Sequence, residues 1–196
     1  NLKAQTPSLS MNYVQKSTFD EKEQVFILRI RPPNQVIIIG AGHISQVLSE
    51  LSVAMELDVI VVDPRSVFLS EKRFPDVEIR PGWPQDVLPN LSIDAQTAMV
   101  TLTHDPKIDD PALLYCLDTS AFYIGCLGSS KTHKARLERL KNAGVSDHSL
   151  SRLHGPVGIP LGGRSAPEIA LSILAELITI LNKPNNQTVS ESFSLK

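Results

Sequence analysis

The stretch Val36-Ile37-Ile38-Ile39-Gly40-Ala41-Gly42-His43 decides the fold. Four consecutive β-branched apolar residues suit a strand covered on both faces, because a strand with one wet face would alternate apolar and polar. Gly40-Ala41-Gly42 ends the run. Ile44, Val47, Leu48, Leu51 and Met55 then recur at helical spacing. Strand, glycine turn and helix in that order form the first unit of a parallel α/β sheet.

The same unit repeats downstream. Val59–Val62 reads as a second buried strand ending at Asp63-Pro64-Arg65, and a short strand is expected near Asp76–Arg80. Ala98–Leu102 ends at Thr103-His104-Asp105. Asp110-Pro111 predicts a helix start, running through Leu117, with Asp109 or Asp110 as its N-cap. Phe122–Leu127 ends at Gly128-Ser129-Ser130, and the helix Lys131–Ala143 stops at Gly144. Ser165 and Glu168 have capping-box spacing ahead of the apolar helix Ile169–Leu181. The fold class is therefore α/β: one Rossmann-like, doubly wound, mainly parallel sheet with helices on both faces, over residues 25–182. Residues 1–24 are polar and aperiodic, an expected arm or linker. Val25–Ile30 is an expected edge strand, and 183–196 an expected flexible tail.

Composition narrows the function. The chain has 196 residues, and 19 Lys+Arg against 21 Asp+Glu give a net charge of −2, which argues against a broadly basic nucleic-acid coat. Two cysteines, Cys116 and Cys126, are too few for a disulfide framework or a Cys-rich zinc module and read as reduced, buried thiols. No apolar run of about 20 residues spans a membrane. A cytoplasmic protein is expected.

In a doubly wound sheet, ligands bind at the carboxyl ends of the strands. Gly40–His43, Asp63–Arg65, Thr103–Asp105 and Gly128–Lys131 all fall there. The glycine turn permits close backbone approach, and the helix start offers free N–H groups to a phosphate. Ser45 stands where the dinucleotide fingerprint wants its third glycine. Asp63 follows Gly40 by about 20 residues, the place of a ribose-binding carboxylate. With Arg65 beside it, mutual neutralisation is the equal alternative. If Asp63 faces a ribose, NAD is favoured over NADP. Arg73 would rim the same crevice. His104 and Asp105 suit acid–base or cation chemistry, or a plain loop contact. Gly128, Ser129 and Lys131 form a second small-residue anion cradle. The glycine-rich stretch Leu153–Ser165 reads as a loop shaped to approach something. Arg164, at a helix start where it opposes the dipole, reads as a ligand or partner contact.

Together the stretches IIIGAGHI, VVDPR with KRFP, TLTHDPKIDD, YIGCLGSSKTH and RLHGPVGIPLGGRSAPEIALSILAE resemble, in order, the Rossmann-like C-terminal domain of the XdhC/CoxI family. The resemblance covers about Val25 to Leu181. It implies an accessory protein that binds molybdenum cofactor, protects it during sulfuration and helps insert it into a xanthine dehydrogenase-type molybdoenzyme. It also implies a cysteine desulfurase as a further partner, a homodimer, and a cofactor chaperone more than a turnover enzyme. The motif positions Gly40, Gly42, His43, Asp63, Arg65, Thr103, His104, Asp105, Gly128, Ser129 and Lys131, with Arg164 added from its place at the helix start, make up the expected cofactor-binding set, with no catalytic residue and no resident metal. The family usually has glycine where Ser45 stands, and it commonly carries a separate N-terminal domain. An NAD(P)-dependent oxidoreductase or nucleotide-binding module could use the same glycine turn, although no Tyr-x-x-x-Lys pair follows. A ligand-free module pairing through the Ile169–Ile180 helix is a third reading.

Overall fold

A computed structural model describes residues 14–20, 25–30 and 33–183. Val14–Asp20 (β1) pairs antiparallel with Val25–Ile30 (β2). The expected arm therefore contains a strand, and β2 forms a two-stranded sheet with it instead of edging the main one. Gln15, Lys16, Ser17 and Thr18 carry no apolar alternation, so β1 owes its strand to its non-local partner. Residues 1–13 of that arm, and the expected tail from 184 onward, lie outside the described residues.

The main sheet uses Gln35–Ile39 (β3), Asp58–Asp63 (β4), Glu78–Pro81 (β5), Thr97–Thr101 (β6), Tyr123–Cys126 (β7) and Leu153–His154 (β8). Their order is β5-β4-β3-β6-β7-β8, and every pairing is parallel. The order reverses between β3 and β6, which opens a crevice at their carboxyl ends.

Both sheet faces are covered, as the unbroken apolar runs require. Val36 and Ile38 join one core with Val59, Val61, Ala98 and Val100. Ile37 and Ile39 join the other with Ile60, Val62, Met99 and Ile124. Each fully buried isoleucine contributes roughly 1.5–3 kcal/mol relative to exposure. On the first face, His43–Ala54 (α1) packs against Ala166–Leu181 (α6). Ser45, Ser49 and Ser52 lie on the buried side of α1, small enough for close approach, so Ser45 fulfils the packing role of the missing glycine. The second face carries Pro84–Val87 (α2), Pro106–Leu117 (α3), Ser130–Asn142 (α4) and Asp147–Leu150 (α5).

One expectation changes. Helix α3 starts at Pro106, not Pro111, because Asp105 caps it by accepting from Lys107 N. Asp110 pairs with Arg139 at 2.6 Å, and Asp109 is buried, so neither is the N-cap. Helix α6 buries Ala170, Ile173, Leu174 and Leu177 within its own domain. Most of its apolar face is thereby used inside the domain, and Leu171 is the large apolar side chain it leaves exposed among the described residues.

The Ser165 side chain and Glu168 do form a capping box at the start of α6. Ser165→Ala is expected to cost about 1 kcal/mol, a melting drop of roughly 2–4 °C by calorimetry.

Candidate functional site

The crevice is built on the β3–α1 turn. Gly40 has φ +105°, and a Cβ there would meet Thr103 Cγ2 at 2.6 Å, so the fold itself requires this glycine. Gly42 differs. Its φ of −78° suits any residue, it is exposed, and no atom of the described residues lies within 4 Å of where its Cβ would stand. As the N-cap of α1 it supplies no side-chain bond, so among the described residues the first N–H groups of the helix have no acceptor. His43 is exposed beside them. This is a cradle that a side chain at 42 would fill.

Asp63 holds the turn from beneath. Its side chain is fully buried, with Oδ2 accepting from Ala41 N at 2.7 Å and Arg65 Nη2 at 2.8 Å. Oδ1 accepts from Arg65 N at 2.8 Å and Arg65 Nε at 2.9 Å. Burial alone would raise the carboxyl pKa. The hydrogen bonds from Arg65 and Ala41 and the Arg65 charge outweigh it and hold Asp63 below the usual carboxylate range. Of the two readings for Asp63, the structure has the ion pair. Both carboxylate oxygens are taken, and the group offered outward is the half-exposed Arg65 guanidinium. The premise for preferring NAD to NADP therefore fails. Arg73 grips the turn from the other side through Ala41 O and Gln46 Oε1, each at 3.0 Å. Both guanidinium groups lie over the Phe68 ring, at 4.8 Å for Arg65 and 5.6 Å for Arg73.

The β6 side contributes a second layer. Thr103 packs over Gly40, accepts from Asp105 N at 3.0 Å and donates to Asp109 Oδ1 at 2.6 Å. Burial raises the Asp109 pKa against the pull of Thr103 and Arg136. His104 stands in the left-handed region at φ +63°, exposed, with no hydrogen bond to its ring among the described residues. The plain loop contact considered for it is absent. Asp105 combines its place at the rim with the capping role.

At the next strand end, Ser129 caps α4 through Thr132 N at 3.1 Å, and Lys131 is exposed at the start of the helix. Arg136, on α4, reaches Leu127 O at 2.8 Å. The chain Thr103–Asp109–Arg136–Leu127 thus links this loop to the glycine crevice. Arg164 is not joined to it: among the described residues the hydrogen bond it makes is its backbone N–H to Glu168.

The Leu153–Ser165 loop uses its glycines mainly inward. Added Cβ atoms would strike His133 at Gly155, Ser172 at Gly158 and Glu168 at Gly163. Glu176 secures the loop by accepting from Gly158 N and Tyr123 Oη, each at 2.7 Å, and by pairing with His154 Nδ1 at 3.1 Å. These roles of Asp109, Arg136 and Glu176 went unread in the sequence. Arg136 and Glu176 gave a signal as charges on helices with apolar faces, and Asp109 as a carboxylate close behind a strand end.

A cleft of about 560 Å³ opens at the other edge, near the amino ends of β3 and β4. Among the described residues its walls carry the carboxylates Glu56, Asp58, Asp76 and Glu78, a lining that disfavours an anionic ligand. Among the described residues no group of three or more His, Cys, Asp or Glu could hold a metal ion.

A parallel doubly wound sheet with a glycine turn at its switch point defines a Rossmann-type binding domain. The chain belongs to the XdhC family: the family model described as the XdhC Rossmann domain matches residues 36–177. It is 30% identical over 161 residues to a probable xanthine dehydrogenase subunit of Bacillus subtilis (strain 168), covering 82% of this chain and 47% of that one. It is 39% identical over 91 residues to the molybdenum cofactor insertion chaperone PaoD of Escherichia coli (strain K12), covering 46% of this chain and 29% of that one. The crystal structure of a xanthine dehydrogenase from Bacillus halodurans superposes with a TM-score of 0.71 at 27% identity, covering 84% of this chain and 47% of that one. The chain thus spans less than half the length of these relatives. Among the described residues no helix is long and apolar enough to cross a membrane.

Proposed function

We propose that this chain binds molybdenum cofactor as cargo and assists its insertion into a xanthine dehydrogenase-type molybdoenzyme. The observation that carries the reading is Gly42: a glycine the fold does not need, in the switch-point crevice, at a helix start whose first N–H groups have no acceptor among the described residues. The names of the B. subtilis and E. coli relatives support the choice of cargo and recipient.

In this reading the cofactor's phosphate, or its nucleotide extension, rests on Gly40–His43, with Arg65 facing it. Gly128, Ser129 and Lys131 supply a second anion contact. His104, Asp105 and Arg164 line the pterin or molybdenum end. These groups orient the cargo; none is assigned a bond-breaking step.

Sulfuration, with a cysteine desulfurase as donor, belongs to the same reading. Cys116 and Cys126 are fully buried, and burial pushes their thiols up to about 11 and about 12. Thiols so placed are poor sulfur carriers. Sulfur would pass from the donor directly to the bound cofactor, with this chain shielding it.

His104→Ala and Arg164→Ala are expected to leave the melting temperature nearly unchanged, since exposed substitutions usually stay within about 0.5 kcal/mol. Both are expected to reduce activation of apoenzyme in a reconstitution assay with free molybdenum cofactor. If both activate like the parent chain, the rim assignment is wrong.

A further inference from the structure

We propose that Arg136 is the buried half of an anion subsite at the start of α4, which takes a second phosphate-type group of the ligand whose first rests on Gly42. The proposal deepens the cofactor reading above and rests on it.

Arg136 is only 2% exposed, yet it is short of acceptors. Nη2 donates to Leu127 O at 2.8 Å, and the nearest carboxylate oxygen, Asp109 Oδ2, lies 3.8 Å from the same nitrogen, beyond hydrogen-bond distance. Asp109 makes its short bond to Thr103 instead. Nε and Nη1 of Arg136 have no partner among the described residues. A guanidinium carries five donors in a rigid fork, and buried donors left without acceptors are costly. The fork is matched to tetrahedral oxyanions and carboxylates.

The surroundings fit the same occupant. Leu127 immediately precedes Gly128-Ser129, so the guanidinium lies against the loop that leads into α4. Side chains on a helix tilt towards its N-terminus, which carries Arg136 back in that direction. In the first turn of this 13-residue helix, Ser129 uses its side chain for Thr132 N and its carbonyl for His133 N. Ser130 N and Lys131 N are left without intrahelical acceptors. The helix end and the buried cation thus adjoin the same loop, Arg136 through its bond to Leu127 O. An anion or an ordered water supplies the acceptor, and the two are separable.

The test titrates inorganic phosphate into the full chain at constant ionic strength, followed by calorimetry. Ser130→Pro removes one N–H at the first helical position, where proline is well tolerated. Ser129, at φ −78° and ψ 166°, already has the extended geometry that precedes proline. Arg136→Lys keeps the charge and removes the fork, and if it fails to fold, Ser130→Pro decides alone. The expected result is two phosphates per chain, one weakened at least tenfold by Ser130→Pro and the other by Gly42→Val. A single phosphate lost in Gly42→Val but indifferent to Ser130→Pro overturns the subsite, assigns water to Arg136, and leaves the Gly42 reading standing. A single phosphate lost in Ser130→Pro alone supports the subsite and overturns the Gly42 cradle. No phosphate at all overturns both.

Discussion

A Gly40→Val variant is expected to melt roughly 6–20 °C below the parent chain, whereas Gly42→Val stays within about 4 °C of it. The two glycines stand two residues apart and look equivalent in the sequence. At Gly40, φ of +105° is open to few L side chains, and the added Cβ meets Thr103 at 2.6 Å. Backbone strain of roughly 1–3 kcal/mol and overpacking of roughly 1–3 kcal/mol give a loss of about 3–5 kcal/mol. For a domain of this size each kcal/mol shifts melting by roughly 2–4 °C. At Gly42 the backbone is ordinary and the space is open, so valine loses only cap preference, about 1 kcal/mol at most. The same valine stands in the path of any phosphate approaching the helix start, so ligand affinity is expected to fall at least a hundredfold. Thermal melts and calorimetric titration of the two variants read these effects separately. Equal melting of both would mean that the turn is not packed as described.

Asp63→Ala carries the second largest effect. It deletes a fully buried carboxylate that accepts four hydrogen bonds and leaves the buried Ala41 N–H without an acceptor. An orphaned buried donor alone costs roughly 1–3 kcal/mol. With the Arg65 bonds included, the expected loss is about 3 kcal/mol, a melting drop of roughly 6–12 °C. The pH profile gives a second readout. The folded pKa of Asp63 lies below its unfolded value near 3.8, so the stabilisation is complete above that value. It is lost as pH falls from there through the folded pKa. Asp63→Ala should therefore show a shallower loss of stability on acidification below about pH 4. Parallel acid profiles for the two chains would mean that Asp63 is not held as described.

The fold was legible because its signal is local. β3 and α1 announce themselves by an unbroken apolar run, two glycines and a helical repeat, and α6 by its capping box. The start of α3 was less so: Asp105-Pro106 and Asp110-Pro111 are the same signal, and the choice falls to tertiary partners. Asp105 is free to cap Lys107, while Asp110 is drawn to Arg139, 29 residues on. β1 escaped for the same reason, since its residues carry no pattern of their own.

The crevice was legible as a place and less so as chemistry. Strand-end logic brought Gly40, Asp63, Thr103 and His104 to one edge. It could not rank ribose binding against the ion pair for Asp63, because burial and the reach of Ala41 N are three-dimensional facts. The glycine-rich loop looked built for a ligand, yet three of its glycines make room for His133, Ser172 and Glu168. Arg136 and Glu176 lie on helices with apolar faces, where a charge is visible in sequence but its partners are not.

The most direct measurement mixes the purified chain with free molybdenum cofactor, removes unbound cofactor by gel filtration, and quantifies oxidised pterin fluorescence and molybdenum in the protein fraction. Near-stoichiometric retention of both is expected for the parent chain and little of either for Gly42→Val, at almost unchanged melting temperature. Absence of pterin and molybdenum from the parent chain, or equal retention by the two, would contradict a cofactor held on the Gly42 helix start.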